Sequence, residues 1–250
     1  AASDVYKRQI TDFVSWRMGL IVIGILYLAV GIAFFMLLPK PKYQRQRQSG
    51  GLQLIKTFHT ALANKKLLWI YLVAFLIMGS FVAVFNFISY VLLAPPYSLS
   101  QTVVGLLFVV YLFGTFSSTY MGRLSDQHGN GRVLILGLLI MLTGGLLTLL
   151  QPLVFKFIGL AIFTFGMLGS HSVACGWVGK LNQGDKAQSS SMYMFFYYAG
   201  ASSLGTLGGV FLESYGWSGV IGMVAAAVII CLLVVVRLEL AVSQHLLWHH

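Results

Sequence analysis

Charge is what this sequence has least of. Asp, Glu, Lys and Arg make up 9% of its 250 residues, where a soluble globular domain carries about 25%. That scarcity excludes a water-soluble fold. Acidic residues are scarcer than basic ones, six against sixteen, for a net charge of +10. A nucleic-acid binder would arrange that excess as a Lys/Arg stripe with interleaved aromatics. Here the basic residues lie between apolar runs instead. The two cysteines, Cys175 and Cys231, are too few for a disulfide framework. Both sit inside apolar runs, where a free cysteine packs as a small hydrophobe. No H-E-x-x-H, Walker A, nucleophile elbow or carboxylate pair is present. The reading is therefore no enzyme, no cofactor, no metal and no ATP-driven step within this chain.

What remains is apolar. Hydrophobic residues make up 58% of the chain, and the mean hydropathy is +0.85. In a bilayer every backbone polar group must be paired inside the protein, which leaves helices or closed barrels. Barrel strands would alternate over short segments. These runs are continuous over about 20 residues, the length a helix needs to cross the hydrocarbon core. The expected fold is an all-α integral membrane protein with seven spans, at about 18–38, 67–93, 101–121, 132–151, 153–176, 188–212 and 217–237. Pro39 and Pro41 close the first, Pro95 and Pro96 follow the second, and Pro152 opens the fifth. Tyr215-Gly216-Trp217 separates the last two.

Orientation follows from the basic residues. Lys40, Lys42, Arg45, Arg47, Lys56, Lys65 and Lys66 follow the first span. Arg123 and Arg132, then Lys180 and Lys186, then Arg237 fall in alternate connections. The other side has Arg17 and Lys156. The loops at 39–66, 122–132 and 177–187 and the C-terminus are thus placed in the cytoplasm. The 39–66 segment reads as a cytoplasmic linker. A short amphipathic helix on the inner leaflet, around Ile55, Phe58 and Leu62, is the other possibility for it. Residues 1–9 are polar and unlike the apolar run after them, and read as a non-native or truncated start. Residues 67–237 form a six-helix bundle and 238–250 a cytoplasmic tail.

Between the third and fourth spans stands GRLSDQHGNGR, residues 122–132. Gly122 closes a row with Gly114 and Ser118, spaced by four on one helix face where backbones can approach. Gly129 and Gly131 permit the positive φ of a tight reversal. Asp126 has Arg123 and Arg132 as local partners. The segment fits G-x-L-[AS]-D-x-x-G-x-x-R and resembles the cytoplasmic loop signature of the major facilitator superfamily, found between the second and third helices of each half. Span order supports the resemblance. So do NFISYVLLAPPYSLSQTVVGLLFVVYLFGT, SMYMFFYYAGASSLGTLGGVF and Ser15-Trp16-Arg17, which resemble its bacterial drug:proton antiporter-like branch, arabinose-efflux-permease-like proteins included.

The resemblance implies that the seven spans are helices six to twelve of a twelve-helix fold, with 10–38 as helix six. It implies a bacterial inner-membrane protein that exports small organic molecules, of drug or sugar type, in exchange for protons by alternating access. A missing N-terminal half would be required for transport. It further implies a conformational latch of Gly122, Arg123, Asp126, Gly129 and Arg132, in which the acid meets the start of a neighbouring helix in one state. Gln127 and Asn130 depart from the family's basic residues, which implies a weaker second-half copy. A contact worth about 1–3 kcal/mol would suffice to bias the equilibrium. The alternative is a polytopic protein that transports nothing and serves as an assembly or scaffold partner.

Substrate in such proteins is held near the midplane. The cavity candidates are Asn86, Ser89 and Tyr90 in the second span, His171 in the fifth, and Tyr193, Tyr197 and Ser202 in the sixth. His171 is the titratable group at depth able to carry a proton. The plainer reading of all seven is that they bond helices to one another. Met192, Met194, Phe195 and Phe196 form either an adaptable apolar wall or a plain lipid or core face. Gly200, Gly205 and Gly209, with Gly114 and Ser118, are the expected close-packing positions.

Overall fold

The computed structural model describes residues 16–37, 64–182 and 186–247. The 1–9 start and most of the 39–66 linker lie outside the described residues. All regular structure among the described residues is helical. The chain divides into two units, Ala1–Ser49 and Gly50–His250. The first contributes α1 (Trp16–Leu37). The second contains α2 (Lys65–Leu93), α3 (Gln101–Gly105), a 3₁₀ segment (Leu106–Val110), α4 (Tyr111–His128), α5 (Asn130–Leu147), α6 (Leu153–Leu181) and α7 (Lys186–Leu247).

Five helices are long and apolar enough to cross a membrane: α1, α2, α5, α6 and α7. α7 accounts for two of the seven spans. At about 1.5 Å per residue its 62 residues are far longer than a bilayer is thick. The helix breaks at Gly216, where φ is 63° and ψ is −157°. A side chain pays heavily for that φ and glycine does not. The last limb continues to Leu247, so the tail expected from residue 238 begins as helix. The span expected at 101–121 is not one helix but α3, the 3₁₀ turn and α4 in succession. Val103, Val104, Val109 and Val110 are β-branched and crowd the preceding turn, and Gly105 costs about 1 kcal/mol relative to alanine.

The largest interface joins α2 to α7, and the next joins α5 to α6. Both rest on missing side chains. A Cβ on Gly200 would stand 2.0 Å from the Phe75 carbonyl oxygen, and one on Gly205 2.6 Å from Val82 Cγ1. Gly209 lies against the Phe87 ring and Gly79 against Leu204. The α5–α6 contact is reciprocal: Gly144 and Gly159 abut each other's carbonyls, and Gly166 abuts the Gly137 carbonyl. Two apolar helices have no hydrophobic incentive to associate within lipid, so close van der Waals approach is what holds them. Gly114 and Ser118 put α4 on α6. Thr164 and Leu168 fill the space beside Gly114. The Ser118 hydroxyl donates to the Leu168 carbonyl at 3.2 Å, while Ser172 donates to the Ser118 carbonyl at 3.0 Å.

The core between these helices is continuous. Tyr71, Ile77, Met121, Leu138, Phe163 and Tyr193 are wholly or almost wholly buried. Phe81 is central to it, stacked on Phe163 with centroids 6.1 Å apart and edge-on to Tyr111 at 5.4 Å.

Candidate functional site

The second unit has two chemically distinct ends. One carries Lys65 and Lys66 at the start of α2, Arg123 late in α4, Arg132 early in α5, Lys180 at the end of α6 and Arg237 in α7. Two cross-helix ion pairs and a shared groove bring these ends together. The opposite end is tied at Thr148, the C-cap of α5. The Lys156 ammonium of α6 donates to the Thr148 carbonyl. Trp217 Nε1 donates to the same carbonyl at 3.2 Å and lies 3.1 Å from the Thr148 hydroxyl. Lys156 is buried and sits 5.7 Å from the Tyr97 ring centroid. It was legible only as a loop charge; its placement makes it the counter-charge to the negative end of the α5 dipole.

At the basic end, the segment read as a tight turn is helical almost throughout. α4 continues through Asp126 to His128, and α5 begins at Asn130. Gly129 alone makes the reversal, at φ 91°. Gly131 is not part of it. It is buried in the first turn of α5, and a Cβ there would meet the Glu239 carboxylate.

The partners of Asp126 also differ from the expected ones. Its carboxylate accepts from Lys180 Nζ at 3.1 Å, across from α4 to the last turn of α6. Lys180 donates equally to Asn130 Oδ1 at 3.1 Å. Arg132 turns instead to Glu239, 3.9 Å away, which joins α5 to the end of α7. Proximity in sequence suggested Arg123 and Arg132, but helix geometry places Lys180, 54 residues on, closer. Asn130 takes on a reason here: a basic residue at that position would repel Lys180. Glu239 was missed because it fell in the segment read as a tail. Its carboxylate lies at the amino-terminal turn of α5, where an acid is favoured. Both members of the Asp126–Lys180 pair are exposed. Exposed pairs contribute about 0.2–1 kcal/mol. Such a contact is too weak to hold the bundle together and suited to being broken. An open cavity of about 560 Å³ lies beside it, lined by Gly176, Gly179, Lys180 and Lys186.

The seven cavity candidates separate into groups. His171, Tyr193 and Tyr197 come together. Tyr193 Oη lies 3.0 Å from His171 Nδ1 and 3.4 Å from the His171 carbonyl oxygen. The His171 ring is 4.5 Å from that of Tyr197. Tyr193 is fully buried and His171 half-buried. His171 is ten residues short of the end of α6, about 15 Å along the axis, in the basic half of the bundle. Asn86, Ser89 and Tyr90 belong to the last turns of α2, toward the opposite end. Asn86 lies near Gly205, and Tyr90 is exposed with its ring 6.3 Å from Phe87. Ser202 is exposed on α7, and its carbonyl accepts from Thr206 at 2.7 Å. Of the apolar-wall residues, Met192 is buried, Phe195 exposed, and Phe196 stacked on Tyr71 at 5.5 Å.

Comparison with known proteins gives a consistent result. Residues 80–246 match the family described as the Major Facilitator Superfamily. The chain is 40% identical to the uncharacterized MFS-type transporter YybF of Bacillus subtilis (strain 168) over 230 residues, which is 91% of this chain and 56% of that protein. It is 41% identical to the inner membrane transport protein YnfM of Escherichia coli (strain K12) over 229 residues, 92% and 55% of the two. An uncharacterized transporter of Buchnera aphidicola subsp. Schizaphis graminum is 34% identical over 94% of this chain and 57% of its own length. The chain spans about half the length of the curated relatives it matches.

Proposed function

Because this chain belongs to the major facilitator superfamily, we propose that it is the C-terminal part of a secondary transporter that moves small organic molecules across the bacterial inner membrane. In this reading the seven spans are helices six to twelve. The bundle of residues 67–237 works against an upstream bundle, and substrate passes between the two by alternating access. Efflux in exchange for protons is the direction and coupling we propose. The basic end faces the cytoplasm, together with the C-terminus. The transporter names of YybF and YnfM support the reading.

One observation carries the mechanism: the exposed Asp126–Lys180 contact, which bridges the α4–α5 hairpin to α6 at the basic end. At about 0.2–1 kcal/mol it is smaller than the few kcal/mol that separate two conformers, so it tilts the balance between states of the cycle without locking either. Gly122, Arg123, Gly129 and Arg132 shape the hairpin that presents it. The test is Asp126→Asn in the full-length protein, reconstituted in vesicles with an imposed pH gradient. Transport should fall about two- to fivefold, the range that a contact of up to about 1 kcal/mol can supply, with expression and thermal stability nearly unchanged, since an exposed pair contributes little to the fold. Unchanged transport would overturn the latch.

We assign the coupling proton to His171, the imidazole that Tyr193 and Tyr197 enclose. His171→Gln retains a hydrogen-bonding side chain but titrates nowhere near neutral pH. It should abolish the response of transport to the pH gradient while counterflow of substrate, which needs no net proton movement, persists. Loss of both in equal measure would reduce His171 to a packing residue. Asn86, Ser89, Tyr90 and Ser202 are proposed to line the substrate path nearer the opposite side.

A further inference from the structure

A groove of about 400 Å³ runs between the start of α2 and the last limb of α7. Three cations stand at its mouth: Lys65 and Lys66 on α2, and Arg237 on α7. No carboxylate among the described residues pairs with them. Glu239, two residues beyond Arg237, is engaged by Arg132 on α5 instead. The mouth also coincides with a positive helix end. Asn64 caps α2, its Oδ1 accepting from the backbone N–H groups of Lys66 and Leu67 at 3.1 and 3.4 Å, and the dipole there favours an anion.

Below the mouth the chemistry changes. Trp69 lies one turn deeper on α2, 45% exposed, at the level where indoles populate a membrane interface. Leu233 and Ile230 lie one and two turns deeper on α7, 62% and 45% exposed. Cationic mouth, amphipathic collar and apolar floor follow one another along a single line. A free anion would leave the floor unused, and a soluble acidic partner would leave it wet. Like charges crowded at one mouth favour a counter-ion, and cytoplasmic-side basic pockets between helices suit acidic headgroups.

We propose that this groove is a binding site for one anionic phospholipid, its phosphate held by Lys65, Lys66 and Arg237 and an acyl chain laid along Leu233 and Ile230. The inference rests on the reading of α2 and α7 as membrane-crossing helices, but not on transport or on the latch.

The test uses the whole chain purified in an uncharged detergent, with native mass spectrometry counting bound lipid. With phosphatidylglycerol and phosphatidylcholine added in equal amounts, phosphatidylglycerol adducts should exceed phosphatidylcholine adducts about tenfold. Combined Lys65→Gln, Lys66→Gln and Arg237→Gln should erase the preference. Arg123→Gln, Lys180→Gln and Lys186→Gln, which remove the same charge elsewhere and keep the Arg132–Glu239 pair, should leave it intact. Leu233→Asn, which adds no charge beside Arg237, should weaken retention with every cation in place. Equal retention by the groove variants, equal loss in the charge-matched control, or displacement of the lipid by glycerol 3-phosphate would each overturn the proposal. A latch variant that fails to transport has no bearing on this readout, so the two ideas fail separately.

Discussion

Gly166→Ala is expected to destabilise the bundle more than any comparable one-carbon change on its surface. The new Cβ would stand 2.3 Å from the Met141 backbone nitrogen and 2.7 Å from the Gly137 carbonyl oxygen. Those are main-chain atoms, which no rotamer change can move aside. α5 and α6 must therefore separate along their whole contact. Overpacking of this kind costs about 1–3 kcal/mol. Gly144→Ala meets the same obstacle two turns away, with its Cβ 2.2 Å from the Phe163 nitrogen. The two crossings belong to one interface that either insertion already spreads, so a double variant should lose less than the sum, and leucine at either site should leave no monodisperse protein. Gly222 is the control, because nothing lies within 4 Å of a Cβ placed there. Thermal aggregation curves in detergent check the order. A midpoint for Gly222→Ala as low as that for Gly166→Ala would show that glycine itself, and not close approach, sets the effect.

Lys156→Glu should be more damaging still, for an electrostatic reason. The wild-type ammonium is buried against the Thr148 carbonyl at the end of α5. A carboxylate in its place would face that oxygen and the negative end of the helix dipole with nothing to donate. Leaving an uncompensated buried charge costs about 3–5 kcal/mol. Lys156→Met should be much milder, since Trp217 still donates to the Thr148 carbonyl and only one charged hydrogen bond is lost, about 1.5–3 kcal/mol. The yield of folded protein after extraction should therefore rank wild type, methionine, glutamate. Glutamate tolerated as well as methionine would mean that the Lys156–Thr148 contact is not what orders this end.

Much of the architecture was open to reading because bilayers impose it. Long apolar runs can only be helices, and glycine and proline marked most of their ends. The 3₁₀ turn within the third span was not legible, because hydropathy reports where a segment sits, not whether its turn is α or 3₁₀. The Asp126–Lys180 pair could not be read from neighbours in sequence, since a hairpin presents each residue to a different helix. The close-packed positions divided along the same line. Gly205 and Gly209 declare themselves by their spacing of four. Gly137, Gly144, Gly159 and Gly166 become a set only when α5 is laid on α6, because each helix supplies half of the pattern. Lys156 lay hidden for a simpler reason: in a sequence a buried lysine looks the same as an exposed one. Of the cavity candidates, spacing brought out residues sharing a face, but depth along the axis separated His171, Tyr193 and Tyr197 from Asn86, Ser89 and Tyr90.

The single-residue breaks at Gly129 and Gly216 have a practical side. Neither bend contains slack chain, so a reporter spliced into it must unwind a turn of helix on each flank before it can emerge. Peptide tags placed there should be rejected during biogenesis or excise themselves from accessibility maps by staying shielded. The stretches 94–100 and 148–152, which belong to no helix, give an inserted sequence somewhere to leave from. Sidedness mapping of this molecule should begin at those two connectors.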